Sequence, residues 1–348
     1  MNKRLNKFGI ELGELLEFQN ISINEYAERI GTTPKNLIDI IEGKVSLSFN
    51  IICNIAFVSD IPVDYISNVE ESYKIDCKIK EYLEEKNISI RNYINEFNYK
   101  ELKDKYGLVF KNDLNDYSIA RSILKYLRIS DPKTLLKENN HIFYKSKNDK
   151  TELLALWLEH CYRVIQDQKI GEYNKANIEA VVFFIKREAE RGGFDKEELI
   201  KVFNKNGIYL AIEPDLKGSK IRGAFRVLNN KPAIYITTKY KRIADVYFAL
   251  LHELAHCKSD FNRAKNGSIV SLMDDDEKTV FEDKADKCAL NWMVNDSDYE
   301  EIIKSKKYEY ENMPFLVYRL AQDGIIKYNS NLYQENNKQI NNLLLNNK

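Results

Sequence analysis

Residues 250–257 read LLHELAHC, and this stretch decides the fold of the C-terminal part of the chain. It places His252 and His256 four residues apart, with Glu253 directly after the first histidine. On an α-helix, positions four apart share one face with Cβ atoms ~6 Å apart, so two imidazoles can converge on one ion. The glutamate is then placed to reach a water molecule and act as a general base. Because the chain has only four histidines, this pairing favours a metal site over coincidence.

A third protein ligand is needed, because a catalytic zinc site usually combines three protein ligands with one open position. The stretch FEDKADKCA, residues 281–289, offers Glu282 and Asp286 on one helical face. We predict Glu282 as the third ligand and Asp286 as the partner of the far ring nitrogen of His252 or His256. Zinc is preferred, although manganese or another divalent ion also suits this ligand set. Rival acids are Asp274, Asp275, Asp276, Glu277 and Asp283, of which the run DDDE is typical of a solvated loop.

Such a centre predicts peptide hydrolysis, in which zinc polarises the scissile carbonyl and Glu253 passes a proton to the leaving amine. The run KPAIYITT, residues 231–238, is predicted as an edge strand that pairs with an extended substrate. Oxyanion stabilisation needs a further donor, and the candidates left open are Arg222, Arg226, Tyr235 and Arg319. The other histidines and the two nearby cysteines are not predicted to be ligands. His141 and His160 are interpreted as surface or core residues, and Cys257 and Cys288 as buried thiols.

Composition argues against several function classes. Lys and Arg total 53, as do Asp and Glu, so no global field draws the chain to nucleic acid or to a membrane. The longest apolar run, residues 180–185, is far shorter than a membrane span. The charged N-terminus is unlike a signal peptide, and five scattered cysteines without a CxxC pair indicate reduced thiols. We therefore expect a cytoplasmic protein.

Residues 1–72 show the pattern of short helices separated by tight turns. Two short helices joined by GTT, residues 31–33, are typical of a helix-turn-helix motif, whose second helix enters the major groove. The predicted helix starts share a capping side chain or a proline: Ser22, Thr33 followed by Pro34, Ser48, and Pro62.

After residue 72 the sequence pattern is first helical and then, from residue 195, a mixture of β-rich runs and helices. Residues 73–194 are predicted to be a helical linker or sensor region. Residues 195–348 contain three β-rich runs and then the histidine-bearing helix. We therefore predict a multidomain, mainly α protein: an all-α helix-turn-helix domain, a helical middle, and a C-terminal α+β metallopeptidase domain with a small β-sheet.

Residues 195 to 330 resemble the ImmA/IrrE metallopeptidases, which are gluzincin-like. The resemblance is carried by GAFRVLNNKPAIYITTKYKRIADVYFALLHELAH (223–256), EDKADKCA (282–289) and NMPFLVYRLAQDGII (312–326). It implies that His252, His256 and Glu282 are metal ligands and that Glu253 is the catalytic glutamate. It also implies cleavage of a repressor-like regulator in a phage, mobile-element or stress-response circuit.

Residues 8–73 resemble the helix-turn-helix domain of HigA-type antitoxins, through TTPKNLIDIIEGKVSLS (32–48) and IPVDYISNVEESY (61–73). The resemblance implies that Thr33, Lys35 and Asn36 face base edges and phosphates, with Lys44 near the backbone. Through residue 70 there are six basic and ten acidic side chains, a net charge of −4. Operator DNA therefore competes with a partner protein as the ligand of this domain, and homodimerisation would gather its positive charges.

Three hypotheses follow. The leading one is a zinc-dependent, site-specific metallopeptidase that cleaves a regulatory protein. The rival is an antitoxin-like, DNA-binding transcription regulator whose metal site is structural or sensory. The third makes the helical middle a sensor or partner-docking surface that controls the peptidase.

Overall fold

The computed structural model describes residues 8–108, 115–138, 142–143, 151–272 and 280–340. The chain forms two compact units. The first contains the described residues up to 95 and residues 115–134, and the second contains residues 96–108 and the described residues from 135 onward. The helical middle expected at 73–194 is therefore divided between the two units.

The N-terminal helices are short except for one. In chain order they are α1 (Phe8–Gln19), α2 (Ile23–Arg29), α3 (Pro34–Ile41), α4 (Phe49–Ser59), α5 (Val63–Lys86), α6 (Ile90–Glu96), α7 (Tyr99–Tyr106), α8 (Asp116–Tyr126) and α9 (Pro132–Glu138). Helix α7 belongs to the second unit.

The predicted caps begin three of these helices. Ser22, Thr33 and Ser48 each accept a hydrogen bond from the backbone N–H three residues later, which satisfies one of the donors left free in a first helical turn. Pro34 occupies the first position of α3, where its missing N–H costs nothing. The helices bury an apolar core that includes Leu12, Leu16, Tyr26, Ala27, Leu37, Ile40, Ile55 and Ile66.

The second unit surrounds one mixed sheet. After α7 its elements are β1 (Ile142–Phe143), α10 (Thr151–Ile165), α11 (Asn177–Glu190), α12 (Lys196–Lys205), β2 (Tyr209–Glu213), β3 (Ile221–Leu228), β4 (Lys231–Thr237), α13 (Ile243–Ser259), α14 (Phe261–Ala264), β5 (Ser268–Leu272), α15 (Val280–Met293), α16 (Asp296–Ser305), α17 (Met313–Gln322) and α18 (Asn331–Asn336). Within the described ranges the strand order is β1-β5-β3-β4-β2.

Strand β4 lies inside the sheet. It pairs in parallel with β2 and antiparallel with β3. Asn229 and Asn230, both with positive φ, make the two-residue turn between β3 and β4, as expected for the hairpin turns that match strand twist. The expectation that residues 231–238 form an edge strand for substrate is wrong, because both edges of β4 are already hydrogen-bonded.

Helix α13 is the centre of the second unit. Its residues from Ile243 to Cys257 are buried with the exception of Asp245. Strands β3 and β4 pack against it, as do α11, α15 and α17. A helix that is buried on most of its surface needs apolar residues on several faces. In LLHELAHC, leucine, alanine and cysteine provide these faces around the polar side chains of His252, Glu253 and His256.

The coarse fold class is as expected: a mainly helical, multi-unit chain with a small mixed sheet. None of the helices in the described ranges combines the length and the apolar character needed to cross a membrane.

Candidate metal centre

Helices α13 and α15 bring together the three predicted ligands. The Nε2 atoms of His252 and His256 are 3.1 Å apart. One Glu282 oxygen lies 3.1 Å from Nε2 of His252, and the other lies 3.1 Å from Nε2 of His256. All three side chains are buried, and together they can hold a metal ion.

The spacing of these donor atoms fits a metal ion. Ligands bound to zinc at about 2.0–2.1 Å in a tetrahedral arrangement lie about 3.3–3.4 Å from one another. The two imidazole nitrogens, at 3.1 Å, face each other, so that their lone pairs repel unless a proton or a cation lies between them. Two nitrogens and one carboxylate suit zinc and also manganese, cobalt or iron.

The charges of the cluster are strongly coupled. Burial alone would raise the pKa of Glu282, but hydrogen bonds and charge from His252 and His256 hold it well below its usual value. Burial opposes the charged form of His256, yet hydrogen bonds to Asp260 and Glu282 raise its pKa to about 9. The site therefore stabilises positive charge at its centre, which is the property that a cation-binding site requires.

Each histidine has its own carboxylate on the far side of the ring. Nδ1 of His252 lies 2.7 Å from Oδ1 of Asp286, which was predicted. Nδ1 of His256 lies 2.9 Å from Oδ2 of Asp260, which was not. Such partners fix the ring orientation and leave the Nε2 lone pair for a metal. Asp260 follows His256 by four residues, so helical spacing alone could have found it.

Glu253, which the sequence predicts as the general base, lies on α13 directly after His252. Its side chain is fully buried, and neither carboxylate oxygen makes a hydrogen bond of good geometry within the described residues, although the Ser271 hydroxyl lies close enough to favour the charged form. Burial raises its pKa, although the charges of His252 and His256 partly oppose this. A buried carboxylate with so little hydrogen bonding is costly, by about 1–3 kcal/mol or more. The position is therefore explained best by a polar molecule that binds beside it.

Strand β5 reaches the centre through Ser271. Its hydroxyl oxygen lies 3.2 Å from Nε2 of His252. Strand β1 pairs only with Ser268 and Ile269, so the outer edge of β5 from Val270 to Leu272 has no strand partner within the described ranges. This strand was not among those predicted from the sequence, although the short run SIVSL, rich in β-branched and apolar residues, is a signal for it.

The four candidates for oxyanion stabilisation have different surroundings in the structure. Arg222 contacts the centre, since its Nη2 lies 2.7 Å from Nδ1 of His252. Arg226 lies beside Tyr235, whose pKa is raised by burial and partly lowered again by that guanidinium. Arg319 instead binds the carboxylate of Asp296 at 2.6 Å. Of the four, Arg222 alone touches a histidine of the cluster.

Of the alternative ligands within the described residues, none is assembled with the histidines. Asp283 is exposed on α15, and the acids at 274–277 lie outside the described residues, as does His141. Cys257 is buried and contacts the Tyr173 hydroxyl at 3.4 Å. Cys288 is partly exposed on α15. His160 pairs with Glu213 at 3.1 Å.

The predicted DNA-contact residues lie around the start and end of α3. Thr33 caps the helix, and the Asn36 amide donates to the Thr32 hydroxyl at 2.8 Å. Lys35 is exposed. The Lys44 ammonium lies 2.5 Å from the Glu42 carboxylate, so its charge is already paired. Lys35 therefore remains the stronger candidate for a phosphate contact.

Comparison of the chain with protein-family models, with curated proteins and with solved structures returned no match.

Proposed function

We propose that this chain is a metal-dependent peptidase, with zinc as the preferred ion, that cleaves a regulatory protein of the repressor type. One observation carries the proposal. Three buried donors on two packed helices, from His252, His256 and Glu282, lie 3.1 Å from one another, and the buried carboxylate of Glu253 lies on α13, the helix that carries both histidines.

Zinc, when bound, would polarise a scissile carbonyl and make a water molecule more acidic. The chain's own residues would do the rest. Glu253, whose pKa is raised by burial, accepts the proton of the attacking water on a carboxylate oxygen and returns it to the leaving amine. Asp286 and Asp260 keep the two imidazoles in the tautomer that leaves Nε2 free.

The substrate would enter as an extended segment along β5. The outer edge at Val270–Leu272 lies next to the centre, because Ser271 contacts His252. Main-chain hydrogen bonds to such an edge select backbone conformation rather than a particular side chain. A folded protein offers an extended, accessible segment only in a linker or loop, which favours cleavage at one or a few sites.

The experiment compares the wild-type chain with Glu253→Gln, which keeps all three predicted ligands. Each protein is loaded with zinc and incubated with a panel of helix-turn-helix repressors, and new N-termini are identified by mass spectrometry. We expect one dominant cleavage by the wild type and none by the variant. Equal cleavage by both proteins, or by neither, would contradict the proposal.

A DNA-binding regulator with a structural or sensory metal site is the second candidate. It is favoured by the capped helix pair α2–α3, in which Lys35 is exposed at the start of the second helix. The negative charge of this region opposes it, because phosphate contacts supply most non-specific affinity. A gel shift on the protein's own promoter, with Glu253→Gln as a fully competent control, distinguishes the two functions.

A further inference from the structure

Arg222 occupies an irregular position in the sheet. In the antiparallel pair of β3 and β5, Ile221 is opposite Leu272 and Gly223 is opposite Ser271. Two steps along β3 therefore match one step along β5, and Arg222 is the extra residue, as in a β-bulge. Bulges of this kind redirect a side chain and are frequent beside functional sites.

The Arg222 side chain reaches the Nδ1 side of the His252 ring, opposite the Nε2 atom that faces the other proposed ligands. Nη2 of Arg222 lies 3.3 Å from Oδ1 of Asp286 and 4.0 Å from Oε2 of Glu282. The guanidinium also lies over the ring of Phe248, 5.3 Å from its centroid. The arginine is thus held between a carboxylate and an aromatic face, where its charge is poorly solvated.

Two contacts at one ring nitrogen are mutually exclusive. Nδ1 of His252 lies 2.7 Å from Asp286 and also 2.7 Å from Nη2 of Arg222. A ring nitrogen carries either a proton, which Asp286 accepts, or a lone pair, which Arg222 can donate to. If the lone pair is on Nδ1, the proton is on Nε2, and that nitrogen cannot bind a metal ion.

We propose that Arg222 is a positioning residue that holds the Asp286 carboxylate against Nδ1 of His252. The carboxylate then accepts the Nδ1 proton, and Nε2 presents its lone pair to the ion. This role differs from that of an oxyanion donor, because the contact is on the Nδ1 side of the ring. The inference rests on the proposed metal centre and extends it by one residue.

The first test is a double-mutant cycle on zinc affinity in the full chain, measured by competition with a chromophoric chelator. Arg222→Gln and Asp286→Asn should each weaken zinc binding by about ten- to a hundredfold. The double variant should be no weaker than the weaker single variant, because both residues act through one imidazole. Arg226→Gln, four residues along the same strand, is the matched control and should bind zinc like the wild type.

Arg222→Lys keeps a cation but not the planar fork, so it should lose less affinity than Arg222→Gln. This variant and Asp286→Asn keep the test valid if the glutamine variant does not fold. A second readout is the ¹⁵N spectrum of the zinc-loaded chain with labelled histidine, which has only four imidazoles to assign. The Nδ1 proton of His252 should be protected from exchange in the wild type and exchange faster in Arg222→Lys.

Three outcomes decide the matter. Zinc affinity unchanged in both Arg222 variants would overturn the inference and leave the metal centre intact. Losses that multiply in the double variant would also overturn it, since the two residues would then act separately. A wild type that binds no zinc would overturn the metal centre and the inference together.

Discussion

A β-carbon at Gly223 would lie 2.6 Å from Oε1 of Glu253, closer than such atoms approach. It would also lie 3.0 Å from the carbonyl oxygen of Tyr235 on the neighbouring strand. Strand β3 and helix α13 therefore meet at a residue without a side chain, and the room left there is filled by the carboxylate that we propose as general base. The backbone of β3 at Gly223 therefore limits where the Glu253 carboxylate can lie.

Gly223→Ala should displace the Glu253 side chain, because the backbone of β4 cannot move away from the new methyl group. We expect peptide cleavage to fall by more than tenfold and the free energy of unfolding to fall by about 1–3 kcal/mol, the usual cost of overpacking. Zinc affinity should stay within a few-fold of the wild type, because none of the three predicted ligands is altered. A variant that cleaves normally would show that this contact does not position Glu253.

Asp260→Asn should weaken zinc binding by about ten- to a hundredfold, because His256 loses the acceptor that fixes its ring. Chelator competition measures this directly. Asp283→Asn is the control, since Asp283 is an exposed acid near the ligands in sequence. If both variants bind zinc equally well, the contact between Asp260 and His256 has no role in the centre.

Removal of the metal should lower the thermal stability of the chain. A ligand that binds only the folded state stabilises it by about 2.7 kcal/mol at a hundredfold excess over its dissociation constant. We expect chelator-treated protein to unfold at a lower temperature and zinc to restore the transition. Glu282→Gln should show a much smaller response to zinc, and a full response in that variant would exclude Glu282 as a ligand.

Acid should destabilise the second unit through Glu213. Burial alone would raise the pKa of Glu213, but the hydrogen bond from His160 and the charge of Lys196 lower it below its usual value. Because the folded pKa is depressed, this contribution is fully present above the unfolded pKa of about 4.3. It is lost as the pH falls from there through the folded pKa.

Urea unfolding as a function of pH tests this point. Glu213→Gln should be destabilised at neutral pH by about 1–3 kcal/mol, because His160 and Lys196 lose their shared acceptor. Its stability should then fall less steeply than that of the wild type in the acid range. Glu197→Gln, at an exposed acid on α12, should follow the wild-type curve.

Lys35→Ala should weaken any DNA binding by the first unit more than Lys44→Ala does. The Lys35 side chain is exposed, whereas Lys44 lies between Glu42 and Asp39. Both affinities should fall steeply with salt, and the Lys35 variant should show a smaller salt slope. If the wild type does not bind its own promoter at low salt, the first unit is not a DNA-binding module under those conditions.

Local signals in the sequence predicted the local structure well. The caps at Ser22, Thr33 and Ser48 each need only a hydroxyl and a backbone N–H three residues later. Such local interactions can be predicted from a short stretch of sequence. The approach of Glu282 to His252 and His256 could be predicted for a similar reason. Helical spacing places His252 and His256 on one face of α13, and it places Glu282 on a face of α15 with Asp286. Burying these polar side chains favours packing the two faces against each other.

The unpredicted features depend on register between distant segments. Strand order is set by packing across the whole unit, and the continuous apolar run at 233–236 indicates a buried strand without indicating which strands lie beside it. Arg222 could be named as a candidate but not assigned a role, because its direction depends on an extra residue opposite β5. Asp260 is a different case, because its spacing of four residues from His256 is a local signal in the sequence.

The enclosure of α13 restricts how this protein can diverge. A helix with so little exposed surface has few positions at which neutral substitutions can accumulate, so its sequence should change slowly even between distant homologues. New recognition properties would have to arise instead on exposed parts of the second unit, where exchanges leave the buried helix untouched.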